Sequence, residues 1–125
     1  MKKLDKESVI GITALLIHAA NIDEIYSNKE KKLIMDFINS YLKDDDANKI
    51  LKEAEEIESN SNQLLNYTNI IKENPIEIKK DIVEHLWKII ISDNAIDQYE
   101  SNLMRRICGL IYFSDKECGE IKLRL

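Results

Sequence analysis

The sequence predicts an all-α protein, a single domain of about seven helices. Only three glycines and one proline occur in 125 residues, and a sheet protein would need more of these turn-forming residues. Apolar residues recur at intervals of three and four, which is the spacing of one face of a helix. Charged residues make up 33 % of the chain and suit the solvent-facing sides of such helices.

Capping residues predict where the first helices begin. The first helix is expected from about Asp5 to about Asn21, and its apolar residues 9–20 predict a buried core helix. This run of twelve residues is too short to span a bilayer, so we expect no membrane-spanning segment. The second helix should begin after Ser27, because Ser27 and Glu30 match a capping box.

The middle of the chain predicts three more helices. The third should begin within residues 43–50, where acidic side chains favour the N-terminal end of a helix dipole. The segment Glu58–Gln63 is polar and is predicted as a linker to a short fourth helix. Asn74 and Pro75 mark a restart, since proline suits the first position of a helix, and a fifth helix should run to about Ile91.

Two capping boxes predict the last two helices. The sixth helix should start after Asp97, with Glu100 as its acidic partner, and run to about Tyr112. Ser114 and Glu117 form the second capping box, so a seventh helix should follow Ser114.

An internal repeat is the strongest pattern in the chain. Subtracting 27 from 97 gives an offset of 70, at which acidic and capping residues match in register. The matched residues are Asp23 with Asp93, Ser27 with Asp97, and Glu30 with Glu100. The first copy covers about residues 5–57 and the second about 75–125. Two similar helix-turn-helix hairpins are therefore expected to pack face to face.

These motifs resemble one known family. The segment 86–125, with Trp87, the turn ISDNAIDQYE (residues 91–100) and Ser114-Asp115, resembles the C-terminal half of the tellurite-resistance protein B (TerB) family. The stretch LLIHAANIDEIYSNKEKKLIMDFI is similar to the family's first, weaker copy. The resemblance covers nearly all of the chain, from about Ile12 to Leu125. It implies a TerB-like, internally duplicated helical fold, a link to tellurite resistance and stress responses, and no established enzymatic activity.

The resemblance also implies a set of acidic turn residues. Carried over position by position, they are Asp23, Glu30, Asp93, Asp97 and Glu100. The family's turn glycine is replaced by Glu24 in the first copy and by Asn94 in the second. Asparagine tolerates a left-handed backbone, so the second turn keeps its expected geometry, whereas glutamate suits it less well.

Three interpretations of the acidic turns remain open. The acids can serve only the fold, with Asp93 in an Asx-type turn and Asp97 and Glu100 as caps. They can supply hard oxygen ligands to a divalent metal ion. They can also form an acidic docking face for a protein partner. An EF-hand is excluded, because Ala95 and Gln98 occupy positions that need an oxygen ligand and a glycine.

The remaining residues favour a binding domain over an enzyme. The net charge of −5 disfavours nucleic acid as a partner, because affinity for phosphates comes from clustered Lys and Arg. The chain has no phosphate-binding loop and no nucleophile–base grouping that spacing reveals. We therefore predict a non-enzymatic interaction or scaffold domain with an unidentified protein partner, and a homodimer is compatible with the sequence. The alternative is a divalent-metal sensor that uses the same turns, with the metal as its cofactor.

The cysteine, histidine and tryptophan side chains are predicted to serve packing. The spacing of Cys108 and Cys118 does not match a metal site, and we predict that both are reduced thiols of a cytoplasmic protein. Cys108 is predicted to be a small buried apolar residue. His18 and His85 are predicted at helix-packing positions. Trp87 is predicted in or next to the core.

Overall fold

The first helix lies at the centre of the structure, with other helices packed around it. The computed structural model describes residues 5–21, 28–42, 47–60, 64–91 and 98–125. Seven helices and no strand occur within these ranges, which confirms the predicted all-α class. The helices are α1 (Lys6–Ala20), α2 (Asn28–Tyr41), α3 (Ala47–Asn60), α4 (Leu64–Lys72), α5 (Ile76–Ile91), α6 (Gln98–Leu110) and α7 (Asp115–Leu123).

Helix α1 is buried on nearly every side. From Val9 to Ala20 only Ile10 and His18 keep more than a small exposed fraction. The helix contacts α2, α3, α4 and α5. Removing each large apolar side chain from water contributes about 1.5–3 kcal/mol, so α1 contributes a large share of the core. The prediction of a buried core helix is confirmed. No helix in the described ranges is both long enough and apolar enough to cross a membrane.

The observed helix starts follow the capping residues. The Asp5 carboxylate accepts a hydrogen bond from the Ser8 backbone N–H at 2.7 Å, and hydrogen bonds from Ser8 lower the pKa of Asp5. Helix α5 begins directly after Pro75. Before α7, the Ser114 hydroxyl accepts from the backbone N–H of Glu117 at 3.5 Å. Local side-chain chemistry therefore places these helix starts.

Helix α6 ends at Leu110, before the predicted end at Tyr112. Tyr112 adopts a left-handed backbone with φ of 59°, which stops the helix. The Phe113 N–H donates to the Cys108 carbonyl at 2.8 Å, and the Tyr112 N–H donates to the Gly109 carbonyl at 3.4 Å. These two bonds have the pattern of a Schellman motif, so backbone geometry fixes the corner that leads into α7.

Helix α3 is longer than predicted. It continues to Asn60, so the first part of the segment Glu58–Gln63, predicted as a linker, is helical. The Glu58 carboxylate accepts a hydrogen bond from Asn21 Nδ2 at 3.2 Å and lies 3.5 Å from His18 Nδ1. These contacts to the end of α1 explain why the helix continues through a polar stretch.

The corners of the predicted repeat, residues 22–27 and 92–97, lie outside the described residues. The helices on either side of them are in contact, α1 with α2 and α5 with α6. Whether the two corners share one geometry stays a prediction.

Candidate functional site

A groove opens on the surface where α1, α3 and α4 meet. Its volume is about 290 Å³. The residues that line it are Glu7, Ile10 and Gly11 of α1, Glu53 and Ile57 of α3, and Tyr67 and Ile70 of α4. In α1 both Ile10 and Gly11 lie one helical turn after Glu7, and the paired positions in α3 and α4 are four and three residues apart, so each helix turns one face towards the groove.

Gly11 explains how α4 comes so near α1. A Cβ atom added at Gly11 would overlap Cδ1 of Ile70. The missing side chain therefore leaves room for Ile70 to lie directly against the α1 backbone. A glycine inside an apolar helical pattern often allows another element to pack closely against it. Gly11 was therefore a sequence signal from which the close approach of α4 could have been predicted.

Most of the side chains that line the groove are apolar or aromatic. Tyr67 is buried, and its hydroxyl donates a hydrogen bond to the Ile57 carbonyl at 3.5 Å. The Ile57 side chain itself remains 41 % exposed, although the rest of the apolar face of α3 is buried. The exposed Ile57 lies at the groove, where an apolar group of a ligand can contact it.

Two carboxylates add negative charge to this apolar surface. Glu7 is exposed and Glu53 is half-buried, and neither carboxylate has an ion-pair partner among the described residues. The chain as a whole carries a net charge of −5. The groove therefore favours a ligand that combines an apolar side chain with positive charge.

The polar side chains that line the groove are two carboxylates and one phenol, from Glu7, Glu53 and Tyr67. They include no serine, cysteine, histidine or lysine, so the groove lacks a nucleophile with an adjacent base. Its walls and carboxylates can bind and orient a partner.

The predicted acidic turns fall mostly outside the described part of the chain. Asp23, Asp93 and Asp97 lie in the two undescribed corners, and Glu100 lies in the first turn of α6 with its side chain outside the description. The structure therefore neither brings these four acids together nor separates them. Among the residues that the structure describes, no three His, Cys, Asp or Glu side chains converge as metal ligands.

Glu30 is the one predicted metal ligand whose side chain is described. It lies in the first turn of α2 and is only 2 % exposed. A carboxylate removed from water needs polar or charged partners, and Glu30 has an interaction partner. The capping role predicted for Glu30 depends on Ser27, which lies outside the described residues, and it stays a prediction.

The two histidines occupy helix-packing positions, as predicted. His18 on α1 faces Glu58 of α3, as described above. On α5, Nδ1 of His85 lies 2.8 Å from the Asp81 carbonyl oxygen, and its ring meets Phe37 edge-on with centroids 5.1 Å apart. Both side chains join neighbouring elements.

Comparison with protein families gives a match over most of the chain. The model of a family described as tellurite resistance protein TerB matches residues 9–123. This range contains every groove residue except Glu7. Comparisons with curated proteins and with solved structures gave no match.

Proposed function

Because the chain belongs to the TerB family, we propose that it is a non-enzymatic interaction domain that works in tellurite resistance or a related stress response. The observation that carries this proposal is the groove between α1, α3 and α4, with its exposed Ile57 beside two carboxylates. We also propose that the acidic residues Asp23 and Asp93 add negative charge for the same partner. The cytoplasm, with a protein partner, is the setting that we propose.

The chemistry of the groove defines the kind of partner. Its volume of about 290 Å³ lies at the lower end of the range for small-molecule pockets, so it suits one or two apolar side chains better than a cofactor. Glu7 and Glu53 would meet Lys or Arg side chains beside those apolar groups. The partner that fits is a basic amphipathic segment, bound by the helix-in-groove mode.

The apolar and charged contacts should contribute differently. A buried apolar anchor carries most of the affinity in such interfaces, and its loss costs about 2 kcal/mol or more. Exposed charges at the rim mainly change the association rate and its dependence on salt. Ile57 should therefore control affinity, while Glu7 and Glu53 should control how fast a basic segment associates.

A labelled amphipathic peptide tests the apolar anchor. We expect a helical peptide of about 18 residues made of leucine and lysine to bind the intact chain, and its leucine–glutamate counterpart to bind far more weakly. Ile57→Asp should weaken binding by about tenfold or more. Ile76→Asp is the matched control, because Ile76 is 47 % exposed on α5 and does not line the groove. Equal affinity of both variants would contradict the proposal.

Charge reversal tests the two carboxylates. Glu7→Lys combined with Glu53→Lys should slow association of the leucine–lysine peptide, and the difference should shrink at high salt. Glu56→Lys combined with Glu77→Lys introduces the same charge change at exposed positions outside the groove. If this control slows association as much, net charge and not the groove attracts the peptide.

The second candidate function is a divalent-metal sensor that uses Asp23, Glu30, Asp93, Asp97 and Glu100. On this hypothesis the carboxylate of Glu30, which is 2 % exposed and already has an interaction partner, would be one of the oxygen ligands. On this hypothesis the turns would change shape when the ion binds. The interaction domain remains our first proposal. The side chains that line its groove are described on all three helices, whereas most of the acidic turn residues lie outside the described residues.

A further inference from the structure

The two cysteines, ten positions apart in the sequence, lie on the neighbouring helices α6 and α7, and their side chains interact with each other. Cys108 is fully buried and Cys118 is 5 % exposed. Both are free thiols, and they share a hydrogen bond. Corner residues 111–114 reverse the chain between the two helices, so that Cys118 faces back towards Cys108.

Cys118 lies near polar and charged groups although it is buried. The Trp87 indole Nε1–H donates to the Cys118 carbonyl oxygen at 3.1 Å, and this N–H also interacts with the thiol. Lys122 lies one helical turn further along α7, and its Nζ is 5.1 Å from the centroid of the Trp87 ring. Asp115, one turn earlier in α7, brings the opposing negative charge.

These neighbours make the two thiols unlike each other. The hydrogen bond from Cys108, with help from the Trp87 N–H and the Lys122 charge, lowers the pKa of Cys118 to about 7, against the effects of burial and Asp115. The same pairing, together with burial, raises the pKa of Cys108. Cys118 is therefore the more readily ionised of the two thiols. The thiolate is the reactive form of a cysteine.

We propose that Cys118 and Cys108 form a peroxide-reactive dithiol, in which Cys118 reacts first and Cys108 completes a disulfide between α6 and α7. This site is separate from the groove, and its oxidation does not depend on the proposed interaction function. The redox role would tie the last helix of the fold to its neighbour under oxidative conditions.

The reaction balances with a hydroperoxide as the oxidant. The Cys118 sulfur attacks hydrogen peroxide, a sulfur–oxygen bond forms, the oxygen–oxygen bond breaks, and the leaving hydroxide takes up a proton to form water. The Cys108 sulfur then attacks the sulfenic acid on Cys118, a sulfur–sulfur bond forms, and a second water leaves with the Cys108 proton. The two thiols lose two electrons, and one peroxide is reduced to two waters.

Burial should restrict this reaction to small oxidants. Hydrogen peroxide is little larger than water and can reach the slightly exposed Cys118, whereas a bulky aromatic disulfide reagent cannot reach either sulfur without opening α7. The folded chain should therefore react with peroxide but resist the bulky reagent. Ordinary buried cysteines should resist both reagents.

Intact mass measurement of the full chain treated with hydrogen peroxide tests the proposal. We expect the wild-type chain to lose two hydrogens and form an intramolecular disulfide that a reducing agent reverses. Cys108→Ser should stop at a sulfenic acid on Cys118 that dimedone traps. Cys118→Ser should leave Cys108 unoxidised. Formation of the disulfide at the same rate in the urea-unfolded chain, or no disulfide in the folded chain, would overturn the proposal.

A variant that keeps both cysteines guards against effects of misfolding. Lys122→Met should slow peroxide oxidation at pH 6 by about threefold, because less Cys118 is then ionised. Lys116→Met is the matched control on the same helix, since Lys116 is exposed, and it should keep the wild-type rate. Circular dichroism should show the same helix content in both variants. Equal rates in the two lysine variants would count against the assigned environment of Cys118.

Discussion

The Tyr41 hydroxyl donates a hydrogen bond to Oδ2 of Asp81 at 2.7 Å and thereby joins α2 to α5. The Phe37 ring packs against both Tyr41 and His85, with ring centroids 5.1 Å apart in each pair. Burial, and then the hydrogen bond to Asp81, raises the pKa of Tyr41. The folded protein therefore keeps this phenol neutral at a pH at which an unfolded chain would ionise it.

Stability should fall in alkaline solution because of Tyr41. An unfolded chain loses the Tyr41 proton near its ordinary pKa of 10.0, whereas the folded chain holds it to higher pH. The stabilisation is complete below that value and is lost as the pH rises towards the folded pKa. The slope from this residue is at most about 1.4 kcal/mol per pH unit.

Urea denaturation between pH 8 and pH 11 measures this effect. Tyr41→Phe should flatten the alkaline decline and also lower stability at pH 8, where the hydrogen bond is lost, by about 1 kcal/mol. Tyr112→Phe is the control, because Tyr112 is 70 % exposed. An alkaline decline that is the same in both variants would show that other groups cause it.

Thr13 should destabilise the protein through an unused hydroxyl. It is fully buried in α1, and its Oγ1 has no hydrogen-bond partner among the described residues. Thr13→Val removes this buried polar atom and should raise the free energy of unfolding by about 1 kcal/mol. Thr68 is equally buried but has an interaction partner, so Thr68→Val should lower the free energy of unfolding. Chemical denaturation of both variants should give shifts of opposite sign.

Gly11→Ala should change the groove more than the stability of the fold. The added Cβ should displace the Ile70 side chain towards the groove. Replacing glycine by alanine stabilises a helix by up to about 1 kcal/mol, and the less favourable rotamer of Ile70 should offset part of this gain. The leucine–lysine peptide should bind less tightly. Gly119→Ala has open space around its new Cβ and should stabilise α7 without changing peptide binding. Unchanged peptide affinity in Gly11→Ala would argue against docking at this groove.

The metal hypothesis makes a separate spectroscopic prediction. If the turns bind a cation, then micromolar calcium, magnesium, manganese or zinc should shift the backbone amide resonances of Asn94 and Ala95. Asp93→Asn should abolish these shifts, because it removes a carboxylate ligand. Glu30→Gln should likewise abolish metal-induced shifts of the backbone amide resonances at the first turn. Resonances that stay in place at saturating metal would end the sensor hypothesis and leave the groove proposal intact.

The sequence predicted local structure well where one side chain decides it. Pro75 and Ser114 placed the starts of α5 and α7, because a cap or a proline acts within one helical turn. The end of α6 was less predictable, since Tyr112 takes a conformation that usually favours glycine. The C-terminal end of α3 depends on contacts with α1, which sequence spacing does not show.

The groove and the cysteine pair could not be read from spacing. Ile57 looked like another residue of an apolar stripe, and its exposure depends on how α3 and α4 pack against α1. The pairing of Cys108 with Cys118 depends on the corner at Tyr112, which turns α7 back towards α6. Both features arise from the relative placement of helices, which helical periodicity alone leaves open.

The central position of α1 has a consequence for how the protein is made. This apolar helix leaves the ribosome before the helices that cover it, and α5 is completed only when residue 91 has been added. At about 5–20 residues per second, the wait between the two helices lasts about 4–14 s. During that interval the nascent chain exposes its most apolar segment, and a chaperone or the ribosome surface would be needed to shield it from aggregation.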